Sequence, residues 1–379
     1  MGLFFKKEEE LVVLLDISSG SVSGALVLKN KKDLPLVLNY VVREFKFRHE
    51  FDQKIVMKEM LESLDYVCQK VQKETQALPQ KIYCFLDAPW AQATLLRIVL
   101  KRDKEFNFTE ALAQKLINEE IENFKNDRGD LKQIIDKRTI ETSLNGYIVD
   151  NPHNKKARSA NIEIFLSLAS RYLVTKIEDK IQKTFKSKIL FTSQSLTDFV
   201  FVRSIAESKK DYIILNIRSE YTEFSLVKNN NLKITNTFPL GINSIIRVAA
   251  KKMKKSITES SSLFYSFIGD SLEEENAIDI SDVSKFAGEM WKSSLKQNLL
   301  EVLPNRHIPD NIFLIVDKNI EPWFNQILQY KLFPEFTISN IEFNVIIITR
   351  SMLHNLYNLG EGVKPDPNIS IKTIFINQN

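Results

Sequence analysis

The stretch LVVLLDISSGSVSGALV, residues 11–27, decides how this chain is read. Leu11–Leu15 contains no polar residue, the pattern of a strand covered on both faces. Asp16 follows that run, a Ser/Gly turn spans 18–21, and Ser23–Leu28 resumes an apolar strand. The pattern is a tight hairpin with a carboxylate at its mouth. Leu36–Phe45 reads as a third strand after the turn material of Lys29–Pro35. Val56, Met60, Leu64, Val67 and Val71 then recur at helical spacing, with Asp52 placed to cap the helix, and Ile82–Leu86 is another short buried strand.

The same opening returns in the second half. Tyr212–Ile217 is a buried strand, Glu223–Val227 a second and Leu232–Phe238 a third, followed by a helix through Ile242, Ile245, Ala249 and Met253. Two halves that open alike imply a duplicated architecture. Between them, Thr94–Leu100 reads as a strand. Thr109 caps a helix whose face carries Leu112, Leu116, Ile117, Ile121 and Phe124, with a loop at Asn123–Lys132. Strands at Thr139–Ile148 and Ile162–Leu168 flank a polar loop, Asp150–Ala160. Phe106, Phe108 and Phe124 read as core of this block, an exposed subset being the alternative. Helices follow through Leu173, Ile177 and Ile181 and over Ser195–Ile205. Glu207–Asp211 is the domain boundary. A long helix carries Val283, Phe286, Met290 and Leu299, Asn311–Val316 is a strand, and the closing NISIKTIFINQN alternates like a strand.

The expected division is therefore 1–93 and 169–210 for the first domain, 94–168 for an inserted subdomain, 211–342 for the second domain, and 343–379 packing back on the core. The fold class is α/β, duplicated, with an α+β insertion.

Composition narrows the function. Of 379 residues, 52 are Lys or Arg and 48 Asp or Glu, a net charge of +4 that gives little reason to expect nucleic acid. KKMKK at 251–255 reads as a solvated helix end. Two cysteines, Cys68 and Cys84, make no disulfide framework or zinc site, and His49, His153, His307 and His354 show no metal spacing. No nucleophile–base pair stands out. Leu11–Leu15 and Val345–Ile348 are too short to cross a membrane, and MGLFFKKEEE fits neither a secretory signal nor the myristoylation pattern. A cytoplasmic protein that reaches a membrane only through a partner is expected. Glycine is scarce, 10 in 379, where phosphate-cradling enzymes need it.

Residues 11–27 resemble the first phosphate loop of the actin-like ATPase superfamily, in its FtsA and PilM branches. ILNIRSEYTEFSLVKNNNLKITNTFPLGINSIIRVAA, residues 214–250, resembles the second phosphate loop and hairpin, and the 94–168 block sits where those branches carry their insertion. MGLFFKK is similar to PilM openings, and the chain shows no terminal basic amphipathic helix of the FtsA kind. The resemblance implies an actin-like, ribonuclease H-like fold and a cleft in which backbone amides hold phosphates and strand-end carboxylates hold magnesium and its waters. On that pattern Asp16, Ser18, Ser19, Ser21, Asn216, Arg218, Thr222 and Glu223 would line a vestigial nucleotide cleft.

The departures run in one direction. Ser18 stands at the first-loop glycine position, Asn216 at an aspartate, Arg218 and Ser219 at glycines, Glu223 at another aspartate, and DKNIEPWF at 317–324 replaces the glycine-rich adenosine turn. Positive φ at a non-glycine residue costs about 1–2 kcal/mol. Asp16 reads as a metal-water ligand or as a turn-capping carboxylate. Arg218 reads as a solvated loop arginine, with a phosphate or carboxylate contact as the alternative. The expected protein is a non-catalytic scaffold with no cofactor, no metal and no catalytic residue. It would bind the cytoplasmic tail of a membrane protein of a pilus assembly in a groove beside the inserted subdomain. The alternative is an FtsA-like division ATPase or filament former using ATP with magnesium, and self-association stays open.

Overall fold

The computed structural model describes residues 9–30, 32–75, 77–128, 131–269, 271, 274–302, 308–329 and 343–378. The MGLFFKK opening and His307 lie outside them. The first half runs β1 (Glu9–Ile17), β2 (Ser21–Asn30), β3 (Leu36–Glu44), α1 (Gln53–Lys73) and β4 (Lys81–Leu86). The insertion follows as β5 (Ala91–Phe108), α2 (Glu110–Arg128), β6 (Lys132–Leu144), β7 (Tyr147–Ile148) and β8 (Lys155–Ser170). Next come α3 (Arg171–Thr184), β9 (Lys188–Ser193) and α4 (Gln194–Ile205). The second half holds β10 (Tyr212–Ile217), β11 (Thr222–Lys228), β12 (Asn231–Phe238), α5 (Ile242–Met253), α6 (Ile257–Ile268), α7 (Glu274–Val302), β13 (Asn311–Ile315) and α8 (Glu321–Gln329). β14 (Asn344–Ile347), α9 (Arg350–Leu353), β15 (Asn358–Leu359) and α10 (Pro367–Gln378) follow.

Two sheets repeat one plan. β15-β3-β2-β1-β4-β9 forms the first and β12-β11-β10-β13-β14 the second, each with an antiparallel meander feeding parallel strands. Alternation explains why both sheets are buried twice over. Val13, Leu15 and Ile17 of β1 face α1 and α3, while Val12 and Leu14 face inward. Ile213, Leu215 and Ile217 of β10 face the helices α5–α8, while Tyr212 and Ile214 face inward. The two inner faces meet over α4 and α10, whose residues share one apolar core with β1, β2, β10 and β13. The expected caps form: Asp52 Oδ1 accepts from the Lys54 and Ile55 amides, and Thr109 Oγ1 from Leu112.

Several elements differ from the sequence reading. The closing segment is not a strand but α10, whose residues Asn368–Ile376 are all buried. A helix enclosed on every side carries no amphipathic period, so its Ile-Ser-Ile alternation misled. Helix α2 continues through the expected loop to Arg128, and β6 begins at Lys132 rather than at 139. β5 and β8 run beyond their apolar segments into the polar stretches before Phe108 and after Lys155, where they pair around a bulge between Lys101 and Phe106. The four-stranded insert sheet, ordered β5-β8-β6-β7, thus starts at Ala91, three residues before the expected 94, and ends at Ser170. β14, expected in a separate C-terminal segment, is the edge strand of the second sheet, whereas β15 joins the first. Phe106 and Phe108 are buried in the insert core with Phe124 packed against it.

Candidate functional site

The two hairpin turns face each other between the domains and touch. The Glu220 amide donates to Ser19 Oγ across the gap (3.1 Å). A Cβ placed on Gly20 would lie 2.1 Å from Ser219 Oγ, so only glycine admits the second turn there. Gly241 has the same role behind the second turn, where a Cβ would sit 2.3 Å from the Arg218 carbonyl oxygen. Ser18 serves its own turn: its hydroxyl accepts from the Ser21 amide at 3.1 Å and lies 3.1 Å from the Ser21 hydroxyl. Arg247 of α5 clamps Glu220 through two bonds of 2.7 and 2.6 Å, and its Nε donates to the Arg48 carbonyl of the first domain.

Arg218 is not a solvated loop arginine. Its side chain is 15% exposed, its Nη2 lies 2.8 Å from Asp16 Oδ2 and its Nε 2.7 Å from Asp87 Oδ2. Lys372 of α10, wholly buried, brings Nζ to 2.8 Å from Asp16 Oδ1 and lies 5.6 Å from the centre of the Phe85 ring. Burial alone would raise the Asp16 carboxyl, but the Lys372 ammonium and the Arg218 guanidinium bring it below its ordinary value. Asp87 has the opposite balance: burial raises it, and Arg218 offsets only part. Beneath this pair lies a second buried polar group. Asp198 of α4 accepts from Gln194 Nε2 (2.6 Å) and Asn216 Nδ2 (2.7 Å), and burial raises it to about 7. Glu223 is raised to about 8 by burial, with the neighbouring Asp198 charge adding to it.

The expected cleft residues therefore divide. Asp16, Ser18, Ser19, Ser21 and Arg218 meet between the domains. Asn216 is buried against Asp198 of α4, and Glu223, half-buried, stands beside Asp198 rather than at the loop mouth. Thr222 turns into the second-domain core, donating to the Leu240 carbonyl at 2.7 Å and accepting from Trp291 Nε1 at 3.1 Å. The expected adenosine turn has no glycine to offer: Asp317 accepts from the Asn319 amide in the turn before α8, and Trp323 and Phe324 are core. Sequence reading missed Asp87 and Lys372. Each had a signal, since Asp87 ends its strand as Asp16 does, and Lys372 is the lone charge in NISIKTIFI.

The actin-like cleft implies magnesium and a nucleotide, and these residues do not fit them. A space of about 390 Å³ remains beside the turns, bordered by Glu44, Asp317, Asp366 and Arg218. Its cation, Arg218, is already committed to two carboxylates, and the acids left on the wall repel a polyphosphate. Both oxygens of Asp16 carry protein cations, so a divalent ion there would meet two positive charges. No group of three His, Cys, Asp or Glu side chains suited to a metal occurs among the described residues.

A second concavity lies beside the insertion. β6 pairs with β8 on one side and, over Ser143–Leu144, with β7 on the other; the rest of that edge has no strand neighbour among the described residues. β9 is likewise the edge of the first sheet. The two edges approach without pairing and are linked by Thr192 Oγ1, which donates to Asp136 Oδ2 at 2.6 Å. Between them runs a groove of about 640 Å³ whose floor includes Tyr83, Leu196 and Phe375. A further 720 Å³ opens on the α2 side of β6, where Lys125, Lys132 and Lys137 outnumber Asp136.

No protein-family model matches the chain, and no curated protein sequence matches it. Solved structures do. One from the PilM-PilN type IV pilus biogenesis complex aligns with 96% of this chain and 97% of its own, at 8% identity and a TM-score of 0.62. A Bacteroides thetaiotaomicron protein of actin-like ATPase fold covers 99% of both chains at 10% identity and a TM-score of 0.45. The ethanolamine utilization protein EutJ from Carboxydothermus hydrogenoformans covers 99% of this chain and 91% of its own at 8% identity and a TM-score of 0.43. With its two like sheets, its shared helical layer and its insertion, the chain has the actin-like ATPase fold in the PilM-like arrangement.

Proposed function

We propose that this protein is a non-catalytic, actin-like adaptor that binds an extended segment from the cytoplasmic tail of a membrane protein, in an assembly of the type IV pilus kind. The observation that carries the proposal is that β9 and the part of β6 before Ser143, which have no strand neighbour on these sides among the described residues, face one another over a floor that includes Tyr83, Leu196 and Phe375. An added strand gains main-chain hydrogen bonds from such an edge, and the pockets below read its alternate side chains. The basic β6 side favours a tail with acidic residues. No helix among the described residues is long and apolar enough to cross a membrane, so the adaptor would sit at the inner face through its partner. The likeness to a structure of the PilM-PilN complex supports this reading through the fold. The ATPase reading keeps one observation in its favour, the 390 Å³ beside the turns.

The experiment is direct titration of the folded protein with synthetic peptides from cytoplasmic tails of membrane proteins encoded beside this gene. One tail is expected to bind, and Lys137→Glu to weaken it. Binding by no tail, or a tail indifferent to the groove substitution, overturns the adaptor reading. Micromolar binding of ATP with magnesium would promote the ATPase.

A further inference from the structure

The cleft contains, in its own side chains, the positive charge that a metal ion would bring. Arg218 extends from the second domain and grips two acids of the first, Asp16 and Asp87, with one nitrogen on each. Lys372 arrives from α10, the helix shared by both inner sheet faces, and meets the remaining oxygen of Asp16. Asp16 and Asp87 thus face two cations, and these two acids leave no net charge for a divalent ion to neutralise. Burying a lysine completely is costly in desolvation, and a site that does so gains from the pairing only if its geometry is kept. The neighbouring turn contacts point the same way: Glu220 is tied to Ser19 and Arg247, and Arg247 to the Arg48 carbonyl, so the second domain holds the first at two further points.

We propose that Lys372 and Arg218 are resident cations of the interdomain cleft, standing in for a metal ion and holding the two domains in one closed arrangement with no ligand bound. Opening the cleft requires Arg218 to leave both acids while Lys372 remains on α10, which takes the guanidinium away from carboxylates whose side chains are only 2% and 4% exposed. The closed state is then a property of the chain rather than of a nucleotide. This inference is independent of the groove and of any tail that docks there.

The test uses the full chain, magnesium chloride as the probe, and melting temperature as the readout. Magnesium, with or without ATP, is expected to leave the wild type unmoved. Lys372→Met should lower the melting temperature by about 4–6 °C, because it strands a buried carboxylate. Asp16→Asn with Lys372→Met should recover at least half of that loss, since no unpaired charge stays buried. Arg218→Met with Lys372→Met frees Asp16 and Asp87, and magnesium should now raise the melting temperature of this variant alone. If that variant does not fold, the comparison of Lys372→Met with Asp16→Asn/Lys372→Met still decides. A wild type stabilised by magnesium, a Lys372→Met protein as stable as wild type, or a double variant with no recovery overturns the proposal. A folded Arg218→Met/Lys372→Met protein indifferent to magnesium overturns it too.

Discussion

Replacing Arg218 by methionine isolates the energy of the cleft pairing, and its cost can be bounded. Asp16 keeps Lys372 at 2.8 Å, so Asp87 is the group left alone. Breaking a buried pair from one side costs about 3–5 kcal/mol. There is a ceiling: Asp87 can take up a proton instead of remaining charged. Holding a carboxyl with an ordinary value near 3.9 in its neutral form costs about 1.4 kcal/mol per pH unit, or about 4 kcal/mol at pH 7. At about 2.1 cal/mol/K per residue, unfolding 379 residues carries about 0.8 kcal/mol/K, so the melting point should fall by about 5 °C at pH 7. The sign against pH is fixed. In the variant the folded state binds a proton that the unfolded chain releases above pH ~4, so its stability declines as pH rises and approaches wild type as pH falls towards 4. Urea unfolding of both proteins between pH 4.5 and about 8 reads this out. A loss below about 1 kcal/mol at pH 7, or one that does not shrink on acidification, refutes the pairing as a determinant of the closed cleft.

Asp198 and Glu223, raised to about 7 and 8, should make the wild-type protein lose stability as pH rises from 5 through 8, because both hold protons in the folded state that the unfolded chain gives up; Asp198→Asn should flatten that slope in denaturant unfolding. Lys137→Glu on the β6 edge should weaken a bound acidic tail about tenfold or more in peptide titrations, with no change in melting temperature. Removing residues 367–378 should abolish cooperative folding by circular dichroism. Burial of Ile369, Ile371, Ile374, Phe375 and Ile376 is worth about 1.5–3 kcal/mol each, against a typical total of about 5–15. Gly20→Ala should disrupt the cleft, seen as faster hydrogen exchange of the Glu220 amide, since the added carbon has no room beside Ser219.

What the sequence disclosed was whatever repeats or is buried on one side. The strands over Leu11–Ile17 and Tyr212–Ile217 are legible because an unbroken apolar run ending in a polar residue has few other readings. Helix α1 is legible because Asp52 caps it and one face is apolar. The insert strands were underestimated because the buried residues of their outer arms, Phe106 and Phe108 in one and Ala157 and Ala160 in the other, stand among charged and polar neighbours that hide the strand period. Helix α10 was misread because burial on every side removes the period that marks a helix. At the site, the missing glycines indicated a changed cleft, but not what fills it. Arg218 carries the same letter whether it points to solvent or to Asp16. Only the approach of two turns 200 residues apart in sequence, with a lysine from the far end of the chain, decides between them.

Because Asp16 lies on the first strand and Lys372 on the last helix, the structure imposes an order on its own biosynthesis. At about 5–20 residues per second, the ribosome takes on the order of half a minute between making the acid and making its partner. Within that interval β2, β3, β4 and β9 are made, so most of the first sheet exists before the lysine that pairs with its Asp16. Arg218 reaches the exit tunnel roughly midway, so neutralisation comes in two instalments, each delivered by a later part of the chain. The cleft thus closes only after α10 has left the exit tunnel, and a product that stops before Lys372 would leave Asp16 without its ammonium partner. Quality-control factors that sense exposed apolar surface would find it there, on the inner faces of both sheets that α10 has not yet covered.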